Sequence, residues 1–383
     1  MLALYDTRRR RRVPFRPRGR TVTLYVCGVT PYDTTHLGHA RTFLVFDVLV
    51  RHLEAKGLRV RYAQNVTDID ESILQRATQR GVDWRELGRA EERKFLADMR
   101  ALGWRRPDVM PHATRELPGM LRVAELLIGR GHAYRIPPDG GLYLDVTTFP
   151  RFGELSRYSP QKMGRILAQQ DDTRLDDPRK RHALDFALWR KVPDGPSWPS
   201  PYGRGRPGWH LECSAMSLQH LGQPVDIHGG GDDLIFPHHE CEIAQSEGAT
   251  GKPFVRYWVH VGPMRLGGEK MSKSTGNMVF VRDTLEHASA DGLRLYLLSK
   301  PYRAPLDHDE TALRRHEDLA RELREMALPR PRTRVPPAAL DALDADLDTP
   351  GVIKLLRGYA RAGDAESATC VARYLGLTLR RAR

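Results

Sequence analysis

Three groups of residues in this chain have types and spacings that could do chemistry. Two histidines bracket a glycine in "HLGH" (36–39), two lysines alternate with serines in "KMSKS" (270–274), and "IHGGGDDLIFPHHECE" (227–242) runs three glycines and two aspartates into two histidines, two glutamates and a cysteine. "HLGH" follows the β-rich run "TVTLYVCGV" and opens the helical pattern "RTFLVFDVLVRHLEAKG". Backbone amides and the helix dipole at such a junction attract phosphate. Gly38 would let a planar base approach the backbone, and His36 and His39 can donate to phosphate oxygens. Four residues alone are a weak signal, since a histidine pair in a loop is more often structural. Lys270 and Lys273 lie in a glycine-flanked loop, where two ammonium groups suit the charge that develops on a departing pyrophosphate. A solvated basic loop is the plain alternative.

The third group concerns soft ligands. Cys27 ends the first strand, Cys213 lies in "PGWHLECSAM", and His238 and Glu242 stand four apart on one helix face. Two thiolates, an imidazole and a carboxylate make a plausible four-ligand zinc site. Cys241, three residues from His238, reaches roughly the same face and is the softer donor, so spacing leaves it a rival to Glu242. The same spacing turns His239 and Glu240 away. Either Cys27 or Cys213 alone would read as a buried apolar residue, and Cys370, in a helical tail, reads as structural. Four cysteines in 383 residues are too few for a disulfide framework.

Positioning these groups needs an α/β scaffold. "TVTLYVCGV", the helix after it and the strand "LRVRYAQNV" form a strand, loop, helix, strand unit, the start of a parallel sheet that binds ligands at the carboxyl ends of its strands. Helical patterns follow at 71–104 and in "LPGMLRVAELLIGRGHAY", then a strand "GLYLDV". The stretch 149–208, rich in Pro, Gly, Asp and Arg, reads as an insertion. "GWHLECSAMSLQHLG" resumes helix, "PVDIHGGG" gives a strand and turn, Pro237 suits the first turn of the next helix, and "RYWVHVGPM" is a further strand. The tail is helical on either side of the linker "PRPRTRVPP". Hydrophobic residues at 40% and charged residues at 28% place the chain among ordinary globular proteins, with no apolar run long enough to span a membrane. The start lacks a secretory pattern, which implies a cytoplasmic protein, and the basic run Arg8 to Arg12 reads as a solvated turn between two short strands. Lys+Arg 61 against Asp+Glu 48 leans weakly towards a polyanionic partner.

"HLGH" paired with "KMSKS" resembles the ATP signatures of class I aminoacyl-tRNA synthetases, and the pair is far more specific than either half. The stretches "YVCGVTPYDTTHLGHARTFLVFDVL", "QNVTDIDESI", "KRHALDFALW", "RPGWHLECSAM", "DIHGGGDDLIFPHHECEIAQSE" and "KMSKSTGN" extend the resemblance, over about 4–305, to the cysteinyl-tRNA synthetases and to the related mycothiol-pathway cysteine ligases. The resemblance implies a Rossmann-like parallel-sheet catalytic domain whose halves fall at 1–104 and 205–262, a connective insertion at 105–204, a "KMSKS" region at 263–310 and a short helical C-terminal domain at 311–383. It implies ATP, with Mg²⁺, activating L-cysteine to an adenylate, with His36, His39, Lys270 and Lys273 as catalytic groups. Gly38, Gly230 and Asp233 would join His36, His39 and Lys273 around ATP. Thr67, Trp209 and His228 would bind the amino acid, and one zinc ion would sit on Cys27, Cys213, His238 and Glu242.

The acceptor is less determined. A full-length cysteinyl-tRNA synthetase carries a further anticodon-binding domain, and this chain ends soon after "ARYLGLTLRRAR", as the mycothiol ligases do, which transfer cysteine to glucosaminyl-inositol. Glu242 and the basic tail fit the synthetase better, with tRNA(Cys) held by its acceptor arm and a monomeric enzyme. A catalytically silent RNA-binding relative would show damaged signatures, and these are intact.

Overall fold

The computed structural model describes residues 1–136, 141–169, 177–192, 194–271 and 276–380. Lys273 lies outside them. The chain opens with the hairpin β1 (Ala3–Asp6) and β2 (Arg11–Pro14). The arginine run forms its turn, but not a freely solvated one. Arg8 donates to Glu154 at 2.7 Å, and Arg10 donates to the carbonyls of Leu155 and Ser156, so the turn leans on the inserted segment.

β3 (Thr21–Val29), α1 (Leu37–Ala55) and β4 (Arg59–Val66) form the predicted βαβ unit. β3 is buried along most of its length because it lies inside the sheet and helices cover both faces. α2 (Glu71–Arg80) and α3 (Trp84–Ala101) begin at Asp70 and Asp83, whose carboxylates accept the amides of Ser72, Arg85 and Glu86. α4 (Leu117–Gly129) follows.

The next segment builds a sheet of its own. β5 (Ala133–Ile136), β6 (Gly141–Leu144), β7 (Phe186–Lys191) and β8 (Gly205–Pro207) pair antiparallel in that order, with α5 (Pro160–Leu167) between β6 and β7. β7 and β8 fall inside the stretch 149–208 and carry no alternating pattern. "FALW" is buried at all four positions, so polarity could not mark its faces.

α6 (Trp209–Leu221), β9 (Val225–Gly231), α7 (Glu240–Thr250) and β10 (Val255–Val261) return to the main sheet. Its strand order is β10-β9-β3-β4, all parallel. The chain winds outward from β3 in both directions, so a crevice opens where β3 meets β9 at their carboxyl ends. Beyond it, β11 (Met264–Leu266), β12 (Glu269–Lys270), α8 (Val281–Thr284), α9 (Ala290–Leu297) and β13 (Leu306–Asp307) support a small sheet of order β12-β11-β13. The tail is α10 (Glu310–Met326), α11 (Pro337–Asp344), α12 (Thr349–Ala362) and α13 (Ala365–Tyr374). Its apolar faces share one core with α1, and a buried ion pair between Arg294 of α9 and Asp47 of α1 ties the two regions. Among the described residues no helix is long and apolar enough to cross a membrane.

Candidate active site and metal centre

The crevice is a cleft of roughly 580 Å³ walled by the ends of three strands: Cys27 and Gly28 of β3, Gly231 to Leu234 after β9, and Val261 to Met264 after β10. His36, Gly38 and His39 line one side and Lys270 another. His36 caps α1, its Nδ1 accepting the Gly38 amide at 3.1 Å, and its ring lies 3.7 Å from that of His39, centroid to centroid. A Cβ on Gly38 would meet the His36 ring at 2.8 Å, so the missing side chain makes room for that ring. Lys270 reaches across to Asp233 at 3.0 Å, and both face the cleft. Gly230 lies behind the wall, where a Cβ would come within 2.7 Å of Leu234. Its bareness serves packing of the chain on itself.

At the floor stands a buried cluster. One ligand atom each from Cys27, Cys213, His238 and Glu242 lies within 4.8 Å of the others, and a second such set is Cys27, His228, His239 and Glu242. Cys27 reaches there from β3, Cys213 from α6, His228 from β9, and the rest from the segment leading into α7. The Cys27 thiol donates to Glu242 Oε1 at 3.4 Å, and His239 Nε2 lies 3.2 Å from the same sulfur. Glu242 Oε1 is 3.2 Å from His238 Nε2, and its Oε2 is 3.4 Å from His228 Nε2. His239 Nδ1 pairs with His260 at 2.7 Å, whose other nitrogen meets Thr7.

Whether these residues suit a metal ion can be tested on the protein itself. His238 Nε2 and Glu242 Oε2 are buried and make no hydrogen bond. Burial pushes both thiols above their usual range, Cys27 strongly so; Glu242 adds to both shifts, and the hydrogen bond between the thiols raises Cys27 and lowers Cys213. Burial likewise holds His238 and His239 well below the ordinary imidazole range, and His260 down to about 3. Neutral imidazoles with exposed lone pairs, crowded thiols and an orphaned carboxylate oxygen are what a soft divalent cation would satisfy. The donor set fits such an ion.

His239 was not foreseen as part of the cluster, because helical spacing directs it away from His238. The chain kinks at Phe236 (φ −142°, ψ 132°) and is helical at His239, so His239 and His238 stand three and four residues before Glu242 and flank the same side chain; the spacing that matters is to Glu242, not to His238. Cys241 belongs to neither set and packs among apolar residues. Trp209 lines the cleft with its ring 4.2 Å from that of His238. Thr67 and His228 sit behind the wall, fully buried. The Thr67 hydroxyl donates to Glu212 Oε2 and accepts from Asn65, whose Oδ1 takes the Gly28 amide. Arg190, from the inserted sheet, and Tyr32 also face the cleft and carried no sequence signal of their own.

Residues 15–318 match the family model described as tRNA synthetases class I (C) catalytic domain. A cysteine--tRNA ligase of Thermodesulfovibrio yellowstonii is 48% identical over 290 residues, 75% of this chain and 58% of that protein. Another, of Legionella pneumophila, is 46% identical over 316 residues, 82% of this chain and 68% of its own length. The chain thus spans about three fifths to two thirds of these curated relatives. Among solved structures, the Mycobacterium tuberculosis methionyl-tRNA synthetase in complex with methionyl-adenylate matches 94% of this chain and 82% of its own, with TM-score 0.63 and 17% identity. At that identity the likeness shows the fold alone.

Proposed function

Because the chain belongs to the family of class I (C) tRNA synthetase catalytic domains, we propose that it activates L-cysteine with ATP and transfers the cysteinyl group to tRNA(Cys). The observation that carries this reading is the thiol, imidazole and carboxylate cluster at the floor of the cleft, directly below the nucleotide-facing residues. Zinc held by Cys27, Cys213, His238 and Glu242 would supply a soft Lewis acid that takes a thiolate in preference to serine's hard hydroxyl. That preference allows large discrimination without an editing site.

In the activation step the amino acid's carboxylate oxygen attacks the α-phosphorus of ATP, and the bond from that phosphorus to the bridging oxygen breaks as pyrophosphate leaves with Mg²⁺. His36 and His39 donate to phosphate oxygens as charge builds, with Lys270 and Lys273 on the leaving group. Gly38 and Asp233 shape the nucleotide's seat, Asp233 towards the ribose, and Gly230 lets Leu234 pack behind it. Trp209 covers the amino acid, while Thr67 and His228 support its pocket from behind. In the second step a ribose hydroxyl at the end of the tRNA acceptor arm attacks the carbonyl and AMP departs.

The organisation that supports this chemistry has catalytic halves at 1–104 and 205–262, a connective insertion at 105–204, a "KMSKS" region at 263–310 and a helical segment at 311–383. The enzyme works as a cytoplasmic monomer. Its test is a pair of assays: cysteine-dependent exchange of pyrophosphate into ATP, then charging of tRNA(Cys). Exchange without charging, with transfer to glucosaminyl-inositol alone, overturns the acceptor.

A further inference from the structure

A second cleft, of roughly 610 Å³, opens at the amino end of β10, where Val255 and Arg256 begin the strand. The residues facing ATP's cleft lie past the other end of the same strand, about 20 Å away at ~3.3 Å per residue. Six arginines from three parts of the chain line it: Arg8, Arg9 and Arg11 from the hairpin, Arg151 and Arg157 from the inserted segment, and Arg256 from β10. Among the described residues, Glu154 is the one carboxylate on its wall. The basic run that the sequence marked, and that amino-acid activation leaves unused, is thus half of a convergent cationic surface.

The carboxylates behind the wall orient the guanidinium groups without covering them. Arg8 meets Glu154 at 2.7 Å and Glu247 at 3.6 Å, and Arg151 also pairs with Glu247, which is almost fully buried. Arg9 is held by Asp6 at 2.9 Å and Arg256 by Asp226 at 2.9 Å. Both of these guanidinium groups lie over the Tyr257 ring, at 5.7 and 5.5 Å, which fixes their planes. Arg8 spends both terminal nitrogens on Glu154 and Glu247, whereas Arg9, Arg151 and Arg256 each engage their carboxylate through one terminal nitrogen and keep the rest of a five-donor fork for a ligand. Arg11 and Arg157 are exposed and form no salt bridge among the described residues; Arg157 donates to the Arg8 carbonyl at 3.1 Å, and its charge acts on Glu154 across the wall. A cleft whose forks are pre-aimed, and whose six guanidinium groups outnumber the four carboxylates paired with them, suits tetrahedral oxyanions, which arginine binds in bidentate fashion.

We propose that this arginine cleft binds phosphate groups, supplied either by an RNA backbone or by a small polyphosphate anion. The RNA source rests on the acceptor reading above, whereas the small-anion source does not.

The test compares the whole protein with Arg11→Gln/Arg157→Gln and with Arg89→Gln/Arg93→Gln, a charge-matched control on the exposed face of α3. Inorganic tripolyphosphate binding is measured by calorimetry with a non-hydrolysable ATP analogue filling the catalytic cleft, and tRNA binding by fluorescence across a salt series. If RNA is the source, the cleft variant binds tRNA several-fold more weakly, and its salt slope falls by about 1–2 relative to the control. If a small anion is the source, tripolyphosphate affinity falls at least tenfold and tRNA binding does not change. The proposal is overturned if the two variants behave alike in both assays. Cysteine-dependent exchange is run alongside and should be unchanged in either variant. Its absence from the unaltered protein would sink the activation reading without touching the cleft result.

Discussion

His238 Nε2 stands 3.2 Å from Glu242 Oε1, and neither that nitrogen nor the other oxygen of Glu242 finds a hydrogen bond, although both residues are fully buried. An unpaired buried polar atom costs about 1–3 kcal/mol. Two of them converging beside two thiols is a costly arrangement for the empty protein and a favourable one for a cation.

Zinc content separates the rival ligands. Cys241 packs among apolar side chains and belongs to neither candidate ligand set, so Cys241→Ser should retain about one zinc per chain and most of its activity. Glu242→Ala removes an oxygen aimed at the cluster and should weaken zinc by at least about tenfold. Elemental analysis after dialysis against a moderate chelator reads both. Equal zinc loss in the two variants would exclude this assignment.

Lys270 and Asp233 form a bridge across the cleft at the carboxyl ends of β3 and β9, the proposed seat of ATP. Asp233 holds the ammonium near the site before any phosphate arrives, and a developing pyrophosphate charge would then compete for it. Lys270→Ala should therefore lower the rate of cysteine-dependent exchange by about 10²–10³ at saturating ATP, the usual loss for one charge-stabilising donor. Melting temperature should not move, since the pair is solvent-exposed and contributes at most ~1 kcal/mol.

Much of this was legible because apolar runs bounded by glycine, proline and cap residues mark buried strands and helices even without alternation. The β3–α1–β4 unit, α6, β9, α7 and β10 all fall where the pattern puts them. β7 was hidden because its four-residue apolar run "FALW" lies inside a stretch whose Pro, Gly, Asp and Arg content reads as irregular. The candidate metal ligands were readable as residue types, yet His239 was passed over, because its spacing was judged against His238 and not against Glu242, three residues on and on the same helix face. Arg190 and Tyr32 reach the cleft through tertiary packing that no local spacing encodes.

The helical tail is fastened to the catalytic sheet at Asp344, which accepts from His52 and Lys56 of α1 and pairs with the N-terminal amine. Burial works against its charge, but hydrogen bonds from Lys56, the amine and His52 outweigh it and hold the carboxyl down to about 2, against an ordinary 3.8. A depressed carboxyl contributes stability that is complete above the unfolded value and is lost as pH falls through the folded one. Asp344→Asn should thus cost about 1–2 kcal/mol at pH 7, measured by urea unfolding, and the gap to the unaltered protein should close between pH 4 and pH 2. A gap that persists at pH 2 would mean that shape, not charge, is what Asp344 supplies.

Arg41 is 1% exposed and faces no carboxylate within hydrogen-bond reach among the described residues. Its guanidinium donates instead to the carbonyl oxygens of Gly262 at 2.8 Å, Pro263 at 3.2 Å, Pro301 at 3.2 Å and Ala304 at 2.7 Å. Burial lowers its pKa to about 10, which still leaves it charged at neutral pH. The planar fork spans two chain segments at once and sets the Gly262–Pro263 wall of the nucleotide cleft. A lysine carries the charge but has three donors at one point and cannot span both segments. Arg41→Lys should therefore destabilise the fold by about 2–4 kcal/mol and raise the KM for ATP in the exchange assay, with the KM for cysteine little changed. Loss of stability with an unaltered KM for ATP would show that the clamp holds the fold but not the cleft wall.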